Sequence, residues 1–172
     1  MKKEIYKHIE REFYEKGILT FVILTFWLLL PKIGYENGDL ENTTAHFLYM
    51  FCHANVWHLL GNLFVLWIIR GKLYLIPSLM IAFLTSLIPA WSLWGEVGVT
   101  MGFSGVIFAV YGIKWGLHDK RRYEMDFSLP TYKEFMIKAM PFALVGILIP
   151  NLNWCLHLYC LLAGYVYGRY RR

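Results

Sequence analysis

Six apolar stretches separated by short polar breaks run the length of the chain, at residues 17–30, 54–69, 73–94, 99–117, 135–150 and 154–170. A helix rises about 1.5 Å per residue, so crossing a hydrocarbon core of about 30 Å takes roughly 20 residues and at least about 17. The pattern predicts an all-α membrane protein, a bundle of six transmembrane helices. The third stretch meets the length easily. The first needs Phe13, Tyr14 and its polar flank, and the fifth must let the stem of Lys138 snorkel. Ahead of them, residues 1–16 form a charged N-terminal segment in which Ile5, Ile9 and Phe13 recur at four-residue spacing. This segment reads either as an amphipathic helix on the inner surface or as a solvated extension of the first span. Residues 17–172 then make one membrane domain, with no repeat and no low-complexity tract. The longest breaks are 31–53 and 118–134, and "HDKRRYEMD" within the second reads as a solvated turn.

Composition agrees with this pattern. A chain of 172 residues that is 58% hydrophobic and 18% aromatic is not a soluble domain of that size. The basic residues set the orientation, because Lys and Arg collect in cytoplasmic loops. With the N-terminus inside, all but Lys32 of the 17 Lys and Arg residues fall in cytoplasmic segments, and the C-terminus is cytoplasmic too. The net charge of +5 is then a consequence of topology and requires no nucleic-acid partner. Trp57, Trp91, Trp94, Trp115 and Trp154 fall near span ends, where interfacial rings belong. The first apolar run follows a charged segment and leads into "PKIGYENG" without a small-residue cleavage site, so it is expected to stay as a span. Cys52, Cys155 and Cys160 lack metal-ligand spacing and read as small buried hydrophobes rather than a disulfide.

Spans two, four and six all start from the outer face, so distance from the span start measures depth. His58, Asn62, Ser104 and His157 lie roughly 6, 12, 8 and 5 Å below that boundary. Polar side chains at membrane depth are costly, and they ordinarily face the bundle interior, pair, and mark a functional path. An imidazole can take the proton of a serine hydroxyl and make it a nucleophile. A further imidazole, an asparagine amide and the Ser104 backbone N–H can donate to the oxyanion formed when a carbonyl is attacked. No Asp or Glu lies at this depth, so the arrangement is a dyad rather than a triad. Gly102 permits a sharp turn into the fourth helix. Gly105, Ala109, Gly112 and Gly116 leave a track of small residues, and Gly164, seven residues after His157, offers a matching surface on the sixth. Asn62 alone is also ordinary interhelical glue, and His53 reads as a loop-end residue fixing local structure. His46, His8 and His118 carry no signal.

Three segments together resemble the rhomboid family of intramembrane serine proteases: "YMFCHANVWHLLGNLFVLW" (49–67), "GFSGVIFAVYG" (102–112) and "HLYCLLAG" (157–164). The resemblance implies a rhomboid-type six-helix bundle with Ser104 as nucleophile and His157 as general base. It implies an oxyanion hole of His58, Asn62 and the Ser104 N–H, with His53, Gly102, Gly105, Phe108 and Gly164 as structural residues near the site. It further implies that transmembrane protein substrates are cut in or beside their membrane segments, at the extracytoplasmic side of the bilayer, with no metal and no cofactor. A short chain with minimal loops points to a prokaryotic inner membrane. The sequence departs from the family pattern at three places. Cys160 stands where the family carries glycine, which implies a looser approach of spans four and six. Phe108 replaces a tyrosine that often stacks on the histidine. Thr44 and Ala45 stand near the place of a Trp-Arg pair in the first external loop.

Two other readings compete. A rhomboid-like protein could hold membrane partners without cutting them, although such relatives commonly lack the serine or the histidine. His53, His58 and His157 could instead ligate haem or a transition metal. The five-residue spacing of the first two turns them about 140° apart on a helix, which disfavours that reading.

Overall fold

The computed structural model describes residues 2–29, 33–91, 97–125 and 152–171, with side chains omitted for 2–9, 11 and 120–125. Among the described residues the elements are α1 (Lys2–Leu29), α2 (Thr43–Leu48), α3 (Val56–Ile68), α4 (Leu75–Ser86), α5 (Ser104–Met125) and α6 (Trp154–Tyr170). The predicted fifth span, with Lys138, and Trp94 lie outside the described residues. The helix starts are written locally. Asn42, Asn55 and Asn153 each accept from a backbone N–H three residues on, at Ala45 (3.0 Å), His58 (2.9 Å) and Leu156 (3.0 Å), which satisfies donors that the first turn leaves free.

The most extensive helix contact joins α5 to α6, and glycine makes it possible. A Cβ on Gly164 would stand 2.5 Å from the Ala109 carbonyl oxygen and 3.1 Å from the Ile113 nitrogen. Gly112 lies equally close to the Leu161 carbonyl, Gly116 to the Tyr165 carbonyl and Gly168 to the Ile113 carbonyl. These two backbones touch, as small-residue seams allow in membrane bundles. The track foreseen along α5 forms this seam at Ala109, Gly112 and Gly116, with Gly168 as a further member, whereas Gly105 meets side chains. At Cys160, the place of the family's glycine, the two helices meet through a side chain rather than through backbone. Its Sγ lies against Gly105 and pairs with the Thr85 hydroxyl at 3.1 Å. All three cysteines are buried, and none forms a disulfide among the described residues.

Contacts among helix ends fix which way each element runs. Lys16 of α1 donates to the Trp67 carbonyl at 3.2 Å and to the Ile69 carbonyl, at the finish of α3. Lys114 of α5 donates to the Arg70 carbonyl, and the Arg171 guanidinium after α6 lies 5.3 Å from the Tyr74 ring. One end of the bundle therefore gathers Lys16, Arg70, Lys114 and Arg171, where cations complement the exposed carbonyls of a helix C-terminus. Glu12 completes the join, accepting from Lys16 at 2.8 Å and from the Gly71 N–H at 2.8 Å. Burial alone would raise the Glu12 carboxyl, but the Lys16 ammonium and the Gly71 N–H hold it below its ordinary value. Helices α3, α5 and α6 run towards this end, and α1 and α4 run away from it.

The helices differ in length from the apolar stretches. Among the described residues no helix is long and apolar enough to cross a membrane. The reason differs by element. In α3 and α4 only 13 and 12 residues are helical, a rise of about 20 and 18 Å. The rest of the second stretch's approach, Tyr49 to His53, is non-helical yet buried. Helix α1 is one continuous helix whose first half is charged, the form expected of an extension of the first span. The fourth stretch becomes helical only at Ser104 and then runs on through "HDKRRYEM", expected as a turn, because Lys, Arg, Glu and Met are good helix formers and no Gly or Pro intervenes. The break at 31–53 is ordered in its described part, from residue 33 on. It holds α2 and a backbone bridge from Tyr35 to Thr100, with N···O distances of 3.1 and 2.9 Å.

The seam makes a direct prediction. Gly112→Val and Gly168→Val should each lower stability by about 2 kcal/mol or more, since the collision is with backbone rather than a movable side chain. Gly61→Ala, with nothing within 4 Å of its Cβ position, should be neutral or stabilising by up to about 1 kcal/mol. Thermal unfolding in detergent distinguishes the two sites.

Candidate active site

At the other end of the bundle α5 and α6 both begin, and their first turns carry a serine and a histidine. Ser104 is the first residue of α5, reached through a turn at Gly102 with φ of +126°. That conformation suits glycine, and the position excludes a side chain for a second reason. A Cβ there would lie 2.6 Å from His58 Cε1 and 2.7 Å from its Nε2. The Gly102 N–H donates to the Tyr49 carbonyl at 2.8 Å, which fixes the turn. His157 follows its cap Asn153 by one turn.

The Ser104 Oγ and His157 Nε2 are 2.8 Å apart. With the ring proton on Nδ1, the hydroxyl donates to Nε2, the geometry in which an imidazole can accept the serine proton. His157 Nδ1 is buried and has no hydrogen-bond partner among the described residues. The ring is held instead by Phe108, one turn after the serine, which stacks on it at 4.5 Å between centroids and 19° between planes. Phe108 thus keeps the stacking surface without a hydroxyl.

His58 and Asn62 stand one turn apart on α3, on the far side of Gly102 from the helix it opens. His53 is buried and sets its ring edge against His58, with centroids 5.2 Å apart and planes at 70°. The Asn62 Nδ2 is buried, has no hydrogen-bond partner among the described residues, and lies 3.4 Å from the Gly102 Cβ position. Ser104, His157, His58 and Gly102 line one half-open cavity of about 310 Å³ together with Thr100 and Asn153. Asn62 is not among the residues that line it. Gly105 lies under the serine against Tyr49 and Cys160, and Gly164 lies deeper in the seam. Among the described residues no three His, Cys, Asp or Glu side chains gather as a metal-ligand set.

Several residues around the site carried no expectation. His46 is buried, stacked on Tyr35 at 4.3 Å, with Nδ1 2.9 Å from the Ser86 hydroxyl. Tyr49 edges against Tyr35 and donates its hydroxyl to the Ala82 carbonyl at 3.0 Å. Asn153 had a legible signal, an asparagine immediately before an apolar run, which is an N-cap pattern. The long-range partners of Tyr35, His46 and Thr100 leave no mark in local sequence.

A search of curated proteins finds no match to the chain. A family model, the Rhomboid domain, matches residues 41–172. The matched span takes in the serine, the histidines of the cavity and the whole glycine seam, and it covers well over half of the sequence: the chain belongs to the rhomboid family.

Proposed function

We propose that the protein is an intramembrane serine endopeptidase that hydrolyses peptide bonds in or next to membrane-spanning segments of other proteins. The observation that carries this reading is the 2.8 Å approach of the Ser104 hydroxyl to His157 Nε2 at the wall of an open cavity. The family's members are integral membrane proteins and generally serine proteases, which supports it. In this reading the basic end of the bundle faces the cytoplasm and the cavity opens to the extracytoplasmic side of a prokaryotic inner membrane. Buried non-helical segments such as residues 49–53 complete the crossing where the helices stop, since irregular backbone is tolerated at membrane depth when protein surrounds it.

The reaction follows from the geometry. Ser104 Oγ attacks the substrate carbonyl as its proton passes to His157 Nε2. The oxyanion that forms lies at the N-terminus of α5, where the first-turn N–H groups, including that of Ser104, have no intrahelical acceptor and the helix dipole favours negative charge. The His58 ring and the Asn62 amide supply the remaining donors. The C–N bond then breaks as His157 returns the proton to the leaving amine. Water from the cavity then attacks the acyl carbonyl as His157 takes its proton, the ester C–O bond to Ser104 breaks, and His157 returns the proton to the Ser104 Oγ. A substrate helix must unwind locally before it can react, because its carbonyls are otherwise bonded within the helix.

Ser104→Ala and His157→Ala should each abolish cleavage of a reporter carrying a destabilised transmembrane segment, while both variants remain folded in the membrane. A fluorophosphonate, which labels only an activated serine, should modify the parent and neither variant. An unlabelled but folded parent would favour the partner-binding alternative. Asn62→Ala should lower the cleavage rate on the order of 10²-fold, as loss of one oxyanion donor does elsewhere. An Asn62→Ala rate equal to the parent's would remove that amide from the oxyanion site.

A further inference from the structure

The glycine seam does not by itself set the distance between Ser104 and His157. At the level of the serine the α5 backbone meets side chains only. The nearest atoms to a Cβ on Gly105 are Tyr49 Oη (3.1 Å), Cys160 Sγ (3.4 Å) and Leu156 Cδ2 (3.5 Å). Backbone-to-backbone contact begins at Gly164 with Ala109 and at Gly112 with Leu161, well below the pair. Above that contact the two helix starts are free to splay unless something joins them.

A buried cluster joins them. The Asn153 carboxamide uses both of its ends. Its Oδ1 caps α6, accepting from the Leu156 N–H at 3.0 Å, while its Nδ2 donates to Thr100 Oγ1 at 3.0 Å and to the Tyr35 hydroxyl at 3.2 Å. Thr100 stands four residues before Ser104 and Asn153 four before His157, so the link lies just outside the pair on the same two segments. Tyr35 anchors it, exchanging two backbone hydrogen bonds with Thr100 and packing on His46 and Tyr49. Tyr49 in turn holds the Gly102 N–H. Asn153, Thr100 and Tyr35 are all nine-tenths or more buried.

We propose that Asn153, Thr100 and Tyr35 form a clasp that positions the Ser104 hydroxyl against His157 Nε2. They are positioning residues, acting through the two segments they tie. The clasp also accounts for how Cys160 is tolerated: with a side chain filling the gap at the serine's level, the spacing there is set from above. This inference rests on the protease reading, and its test separates the two.

Thr100→Val keeps the shape and the backbone bridge but removes the acceptor, and Tyr35→Phe removes the other. Neither touches the Asn153 cap. Each should lower kcat on a transmembrane reporter about 3- to 10-fold, and the double variant about 10²-fold, the scale expected when reacting groups are misplaced by about 1 Å. The rate of fluorophosphonate labelling should fall in parallel, with KM within about twofold of the parent. Thr100→Ser, which restores the acceptor, should recover the parent kcat. Parent-like kcat and labelling in the double variant would overturn the clasp and leave the protease reading intact. So would a raised KM at unchanged kcat, which would make Thr100 and Tyr35 substrate contacts, or a lowered melting temperature with full activity in the folded fraction. A folded parent that neither cleaves nor labels would overturn the protease reading, and the clasp with it.

Discussion

The structure depends on two helix backbones that touch. Between α5 and α6 the glycines at 112, 116, 164 and 168 each face a carbonyl or amide of the other helix at a distance that excludes any side chain. In a membrane there is no hydrophobic force to bring helices together, since lipid tails are as apolar as leucine, and close van der Waals packing has to supply the association. The seam also serves geometry. It sets two helix starts side by side, and the first turns of those helices carry the serine and the histidine.

Placing polar groups there has a cost, and the surrounding loops offset it. Residues 33–53 and 97–103, partly buried and helical only at α2, fold over the site end, and several of their polar groups meet partners. Tyr35 and Thr100 exchange backbone bonds, Gly102 donates to Tyr49, His46 meets Ser86, and Asn153 satisfies three atoms at once. Asn62 Nδ2, like both His53 ring nitrogens, Trp154 Nε1 and His157 Nδ1, is a buried atom with no hydrogen-bond partner among the described residues. A buried donor without an acceptor is costly, and in the proposed mechanism the acceptor for Asn62 is the charge that develops on the substrate oxygen.

Much of this was legible in the sequence, for reasons that differ by residue. The seam could be read because small residues at 105, 109, 112 and 116 repeat at helical spacing, a local pattern. Ser104 and His157 could be paired because spans four and six start from one face, so counting residues measures depth. The approach failed where backbone leaves the helix. Taking the fourth span from 99 placed Ser104 inside a helix, whereas a glycine turn at 102 makes it the first helical residue. The polar run after 117 was read as a turn because charge suggests solvent, yet helix propensity carries α5 to Met125. Tyr35 and Thr100 escaped notice, and His46 carried no signal, because the Tyr35–Thr100 bridge and the His46–Ser86 contact join residues 40 or more apart, and nothing in a single sequence records such pairings.

Among the described residues no carboxylate meets the histidine, which bears on how a dyad can work. In a triad the third residue fixes the ring's rotation and tautomer through Nδ1 and stabilises the imidazolium. Here rotation is fixed by other means, since Phe108 lies parallel to the ring at 4.5 Å and α6 holds its Cα. A stacked aromatic constrains the plane of an imidazole without selecting which nitrogen carries the proton. Nor does the Ser104 hydroxyl select it, since at 2.8 Å it can donate to an unprotonated Nε2 or accept from a protonated one. Only the tautomer with its proton on Nδ1 leaves Nε2 open to take the serine proton, and it can do so only while the two atoms stay at hydrogen-bonding range. Whatever fixes the Ser104 to His157 distance therefore decides whether that tautomer can react, which is why the packing just outside the pair matters as much as the residues that touch substrate.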